Sequence, residues 1–335
     1  MTAPPGLLRA DLHVHTLHSR VNGNVPFLGS RDCYSRPEDV YRVARARGMD
    51  LVAITDHDSI DGCLELRDRH PDARDVIVGE EITCRMPHGD IEVHLGAWGM
   101  TERLHRELQP LRRNVFDVTA RLREAGVLFS LNHLLHFYRD QAPLSDYLRL
   151  LDEVPALEVR NGTMLRAHNA LMEALVARSG RGDEASETRY RPHRRRLAGV
   201  AGSDAHTLRR VGRTWTEAPG RSASEFLANV GRGLGRAGGT DGTALTVAAD
   251  AYGVIASFAG SLVGVGPSDH RLVRRACCLA FVALSLPFEF LPLVIAGYGK
   301  RQERRQVVRA RAFLDEWLGS AGDGREALHT LAVQE

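Results

Sequence analysis

Asp11-Leu12-His13-Val14-His15 ends an apolar run that begins at Leu7, and it sets two imidazoles two positions apart. On a strand such side chains share a face, so His13 and His15 form a two-toothed clamp. A single His-x-His arises by chance on many surfaces. Here it opens a series: Thr55-Asp56-His57, Glu80-Glu81, Glu92-Val93-His94, Asn132-His133 and Gly202-Ser203-Asp204-Ala205-His206. Each follows a β-branched or apolar run, and together they predict one multinuclear metal centre.

Around these motifs strands and helices alternate from residue 8 to about 232. Strands are expected at Leu7–His15, Leu51–Thr55, Val76–Val78, Ile91–Trp98, Val127–Leu131, Leu157–Val159 and Leu197–Ala201. Pro37–Arg47 has a proline at its start and Gly48 at its end, a helix signature. Glu102–Ala125 carries apolar residues at helical spacing up to Gly126, and helices are also expected near Leu144–Leu151 and Leu165–Arg178. Alternating β and α elements imply an α/β fold with a parallel sheet and helices outside. Seven strands suit a barrel, in which the chemistry sits at the carboxyl ends of the strands. Every motif above is expected at such an end.

Composition narrows the classes. At 335 residues the chain can hold one barrel-sized domain and an appendage. A formal net charge of +2 gives no general argument for nucleic acid or an anionic membrane as partner. Lys300 is the only lysine, so no lysine is expected near the metal motifs; Schiff-base chemistry is excluded and a phosphate clamp would use arginine. The cysteines Cys33, Cys63, Cys84, Cys277 and Cys278 show no C-x-x-C pair, and the N-terminus has no signal-peptide pattern. A cytoplasmic protein is the expectation, with Cys33 and Cys84 as small core residues.

The motif set resembles the PHP (polymerase and histidinol phosphatase) family, over residues 8 to about 232. His13-x-His15 matches its first motif, and TDHDSIDG around His57 its second. Glu81 stands where the family has a bridging carboxylate; His94 and His133 occupy two further ligand places, and Asp204 and His206 match the last motif. The resemblance implies a distorted (β/α)7 barrel of the PHP type with two or three divalent ions. One family ligand is displaced: the Asp or His usual shortly after His-x-His is replaced by Arg20 and Val21. Counting back from the helix-starting Pro37 points to Asp32, with His18 as the other candidate. The implied metal set is therefore His13, His15, Asp32, His57, Glu81, His94, His133, Asp204 and His206.

Imidazole and carboxylate ligands suit borderline ions such as zinc, manganese or iron. Paired cations generate a bridging hydroxide and neutralise an attacked phosphate, which is what phosphoester hydrolysis needs. The expected activity is hydrolysis of a small phosphomonoester or short nucleotide. Asp204, His206 or Asp58 would protonate the leaving group, and Arg160 and Asn161 would hold the phosphate. Asp58 could instead orient a ligand imidazole, and Arg160 could make a structural ion pair. A non-catalytic, metal-stabilised structural or sensing module is the alternative, prompted by the displaced ligand. Nucleic acid longer than short oligonucleotides is not expected, since the Arg-rich stretch 178–196 has only Tyr190 as an aromatic.

The division expected is a barrel over 1–235 and a helical region over 236–335 with an apolar segment at 276–299. Pro287 and Pro292 interrupt that segment and Glu289 is costly inside a bilayer, so a helical hairpin, buried or forming a homo-oligomer contact, is expected. Membrane attachment through 276–299 is the alternative.

Overall fold

The computed structural model describes residues 6–20, 30–88, 91–137, 144–179, 196–265 and 272–317. Most of the Arg-rich stretch 178–196 and most of the loop between His15 and Asp32 lie outside them. Nine strands form one sheet: β1 Gly6–Asp11, β2 Leu51–Ile54, β3 Val76–Arg85, β4 Glu92–Trp98, β5 Leu128–Leu131, β6 Ala156–Asn161, β7 Ala198–Gly202, β8 Thr214–Gly220 and β9 Arg236–Gly239. Their order is β7-β6-β5-β4-β3-β2-β1-β8-β9.

The first seven strands form a nearly closed barrel. Just beyond β1 and β7 the chain closes the ring through Val14 paired in parallel with Ala205. The Asp204 amide bonds to the His13 carbonyl at 2.7 Å, and the His15 amide to that of Ala205 at 3.0 Å. At the other end β8 pairs antiparallel with the first half of β1, so the sheet continues as a flap. The Asp11 carboxylate ties the seam together by accepting from the backbone N–H groups of Ser203, Gly212 and His13.

Within the seven barrel strands, the expectation of a parallel sheet fails at β4. β4 runs antiparallel to both β3 and β5, because β3 and β4 form a hairpin with no helix between them. His94 accordingly sits near the start of β4, at the same end of the barrel as the finishing ends of its parallel neighbours. β3 is also longer than expected, so Glu81 lies within it and not beyond it.

Helices fill the connections. α1 (Pro37–Ala46) has Pro37 in its first turn with Glu38 and Asp39 favouring the positive end of its dipole, and buries Val40 and Ala44. α2 spans Asp61–Arg69. The helix expected over Glu102–Ala125 is broken into α3 (Glu102–Leu108), a 3-10 turn containing Pro110, and α4 (Val115–Ala125). Proline removes a backbone donor, and the Asn114 side chain caps the new start by accepting from the Phe116 amide. α5 (Leu134–Phe137), α6 (Leu144–Glu153), α7 (Arg166–Arg178) and α8 (Ala223–Asn229) follow. The largest apolar cluster includes Ile54, Leu95, Leu122, Leu131 and Leu171.

The C-terminal region comprises α9 (Ala244–Leu262), α10 (Leu272–Ser285) and α11 (Leu291–Trp317). The expected boundary at 235 cuts off β9, which pairs with β8. α9 is fixed to the barrel: the Thr207 hydroxyl donates to Asp250 at 2.8 Å, and Phe258 and Leu262 pack with Tyr34. α11 packs on α9, α7 and α5. Chain 276–299 does break at its prolines, as expected, but it is buried only in part: Cys278 and Ala296 are covered, whereas Phe288, Phe290, Val294, Ile295 and Tyr298 are exposed. Among the described residues α9 alone is long and apolar enough to cross a membrane by length and composition.

Candidate metal centre

At the end of the barrel where β1 and β2 finish, Glu81 is the point of convergence. Its Oε2 lies 3.1 Å from His13 Nε2, 3.4 Å from His15 Nε2 and 3.2 Å from His57 Nδ1. Its Oε1 lies 3.3 Å from His94 Nδ1 and 3.0 Å from His133 Nε2. One fully buried carboxylate thus faces five imidazoles. Burial opposes its charge, but His13, His94 and His57 outweigh that and hold its carboxyl well below the ordinary range. Asp204 Oδ1 stands 3.5 Å from His13 Nε2 and 3.3 Å from that of His15. His206 joins through Nδ1, 3.6 Å from Asp204, and Nε2, 3.6 Å from Asp32. Burial and the neighbouring His206 hold the His15 imidazole below its ordinary value, which favours the neutral form that binds metals.

Of the two candidates for the displaced ligand place, Asp32 is the one beside this cluster. Asp32 Oδ2 lies 3.9 Å from His57 Nε2, whereas His18 is seated 2.7 Å from Glu65. Neither carboxylate oxygen of Asp32 accepts a hydrogen bond, although both are buried. A buried carboxylate without donors is costly unless a cation neutralises it. His15, Asp32, His57 and His206 offer ligand atoms within 4.8 Å of one another, as do His13, His15 and Glu81, and again His57, Glu81 and His94. The residues present therefore fit divalent metal. Asp32→Ala is expected to lower metal content sharply while His18→Ala leaves it near normal; element analysis of both variants checks this, and the reverse ranking would remove Asp32 from the centre.

Local backbone supports the arrangement at a cost. His133 and Asp204 adopt positive φ of 25° and 51°, and Asp58 of 52°. Such conformations cost about 1–3 kcal/mol each and persist where the surroundings impose them. The His133 amide donates to Glu158 Oε2 at 2.9 Å, and the amides of Asp204 and Asp58 donate to the carbonyls of His13 and Glu81.

Glu158 also serves the centre, although no motif in the sequence singles it out. Its Oε1 receives His13 Nδ1 at 2.8 Å, the nitrogen facing away from Glu81. It therefore fixes the ring and keeps Nε2 turned toward the centre. Glu158→Gln is expected to weaken metal binding by about 10–100-fold, the usual effect of such partners. Competition with a graded chelator would measure it, and unchanged affinity would reduce Glu158 to a packing residue.

Three sequence expectations need correction. Arg160 does not reach the centre: its Nη2 pairs with Glu173 of α7 at 2.8 Å and its Nη1 donates to the Gly239 carbonyl. The cause is a bulge in β6 between Glu158 and Arg160, which resets the alternation so that Glu158 and Asn161 both face inward. Asn161 is indeed there, donating to Glu158 and to Asp204 Oδ2. Asp58 is occupied elsewhere, accepting from the Thr83 amide at 2.8 Å and from Arg112. Lys300, thought remote, donates to the Thr163 carbonyl, while the Thr163 hydroxyl donates to Asp204 Oδ2 at 3.1 Å. Its ammonium is also paired with Glu303, so it acts as a cationic tether and not as a nucleophile.

A nearly closed α/β barrel thus carries, at one mouth, a histidine and carboxylate cluster that could hold divalent metal. A model described as PHP-associated matches residues 189–233, which carry β7, Asp204, His206 and β8. That match and the ligand set around Glu81 support the resemblance to the PHP family. An uncharacterized protein of Methanocaldococcus jannaschii is 36% identical over 76 residues, 22% of this chain and 44% of that protein. The match thus spans less than half the length of this curated relative. Among solved structures, a two-domain protein of Bacteroides vulgatus containing a predicted PHP-like metal-dependent phosphoesterase is 18% identical, with a TM-score of 0.46 over 70% of this chain and 66% of that one. PsfC of Pseudomonas syringae is 19% identical, with a TM-score of 0.46 over 70% and 92%. An amidohydrolase of Chromobacterium violaceum with bound sulfate is 18% identical, with a TM-score of 0.40 over 61% and 89%.

Proposed function

We propose that the chain is a metal-dependent phosphoesterase acting on a small phosphomonoester or a short nucleotide. The observation that carries this is Glu81 facing five imidazoles beside Asp32, whose buried oxygens accept no hydrogen bond. His13, His15, Asp32, His57, Glu81, His94, His133, Asp204 and His206 would hold two or three ions of zinc, manganese or iron type. When bound, such ions supply an activated water and offset the charge of the phosphate. The chain's own residues set the geometry: Glu158 holds His13, and Asn161 and Thr163 hold Asp204.

Of the three residues considered for the leaving-group proton, Asp58 is tied to Arg112, and Asp204 is engaged through both oxygens. His206 keeps 27% of its side chain exposed, which supports it as the group that meets a leaving oxygen, a role in which it would stand beside the ions and not ligate one through the same nitrogen. A non-catalytic, metal-stabilised module is the alternative reading, and Asp32 beside His57 and His206 supports the enzyme over it.

Protein purified without chelators is expected to carry at least two divalent ions per chain and to release phosphate from some member of a panel of sugar phosphates, nucleotides and short oligonucleotides. Full metal content with no turnover across the panel would favour the structural reading instead.

A further inference from the structure

The turn between α10 and α11 and the first turns of α11 carry a ridge of side chains that the fold leaves uncovered. Phe288, Phe290, Val294, Ile295 and Tyr298 are 54% to 65% exposed. The ridge is built and not frayed: the Tyr252 hydroxyl of α9 donates to the Glu289 carbonyl at 2.6 Å, fastening the turn. Isolated exposed apolar residues need no explanation, but a contiguous aromatic and aliphatic group marks an interaction surface.

Charge tells what it would meet. Between residues 272 and 311 the sequence has eight Lys or Arg and two Asp or Glu. Of the two acids, Glu303 is already taken by Lys300 and the Leu165 amide. Arg301, Arg304 and Arg305 are exposed one to two turns beyond Tyr298 on the same helix. A second copy of the chain, docked about a two-fold axis, would set like charges against one another around this ridge. An apolar ridge followed directly by arginines instead fits a surface whose interior is apolar and whose rim is anionic. Crossing is not required: neither α10 nor α11 is long and apolar enough for it, and α9, which is, holds Asp250 against Thr207 and Arg210.

We propose that the ridge Phe288–Tyr298, with Arg301, Arg304 and Arg305, docks the protein on the surface of an anionic lipid bilayer. The metal centre is then held close to that surface. Lys300 follows Tyr298 by two residues, roughly 3 Å along a helix, and binds the Thr163 carbonyl, whose residue in turn holds Asp204. The proposal stands apart from the phosphoester reading, since docking is measured without turnover.

The test is flotation of the full chain with vesicles of phosphatidylcholine alone or mixed with phosphatidylglycerol. Binding to the mixed vesicles is expected to exceed binding to the neutral ones by about tenfold or more, and to weaken with salt. Phe290→Glu with Ile295→Glu should abolish flotation, and Arg301→Glu with Arg305→Glu should remove the anionic preference. Metal content and thermal unfolding should stay unchanged in both. Absence of flotation, or flotation unaffected by the Phe290 and Ile295 changes, would overturn the proposal. A concentration-dependent dimer that the same changes dissolve would overturn it too and give the ridge to a second copy of the chain.

Discussion

Glu81→Gln is expected to empty the metal centre. Purified without chelators, the variant should lack most of its divalent metal, and any metal-dependent activity should fall by more than the roughly 10–100-fold that changes to supporting residues cause. The amide keeps the size of the carboxylate, so packing is preserved. It loses the charge that offsets any cation at the convergence of His13, His15, His57, His94 and His133, and it turns an NH2 group toward one set of them. Element analysis beside circular dichroism separates this from misfolding. Full metal occupancy in a folded Glu81→Gln protein would mean that Glu81 is not the bridging group.

Gly202→Ala should strike the barrel seam and the centre together. A Cβ at this position would stand 2.3 Å from His13 Cβ and 2.4 Å from the His13 amide nitrogen. Both are parts of the neighbouring chain segment, not a flexible tip, so β1 and β7 must part. Overpacking in ordinary cores costs about 1–3 kcal/mol, and this contact should reach or exceed the upper end. His13 would move with the seam, so metal should be lost as well. The measurement is the thermal midpoint with and without added metal. Gly6→Ala, at the other end of β1, is the control: a Cβ there meets nothing within 4 Å and should leave the midpoint in place. Equal midpoints for the two variants would show that the seam yields more easily than its geometry implies.

The sequence was most readable where periodicity and chemistry coincide. The seven segments read as barrel strands all lie in the sheet, and the imidazoles and carboxylates spaced along them meet at one end. What escaped depends on a single residue of phase. The bulge in β6 sends Arg160 outward to Glu173 and brings Asn161 inward, and alternation alone cannot reveal an inserted residue. Glu158 was hidden for the same reason, since its role is fixed by a partner 145 residues away. The direction of β4 was equally silent, because a strand reads alike in either sense and only the short connection after Arg85 hinted at a hairpin. Tertiary placement also decided the tail. The break at Pro287 and Pro292 was legible, but which side of α11 the barrel would cover was not.

The hairpin of β3 and β4, followed by antiparallel β5, has a consequence for how the molecule assembles. Glu81 and His133 are 52 residues apart, with His94 between them, so their meeting closes only the β3–β4 hairpin and one helical connection. Asp11 and Ser203, by contrast, are 192 residues apart, and the seam that aligns His13 with Asp204 must wait for nearly the whole barrel. Loop-closure entropy favours local pairings first. A growing chain would therefore present half a binding site before its last strand is made, and an ion captured there would serve as a clasp on which the final strand closes.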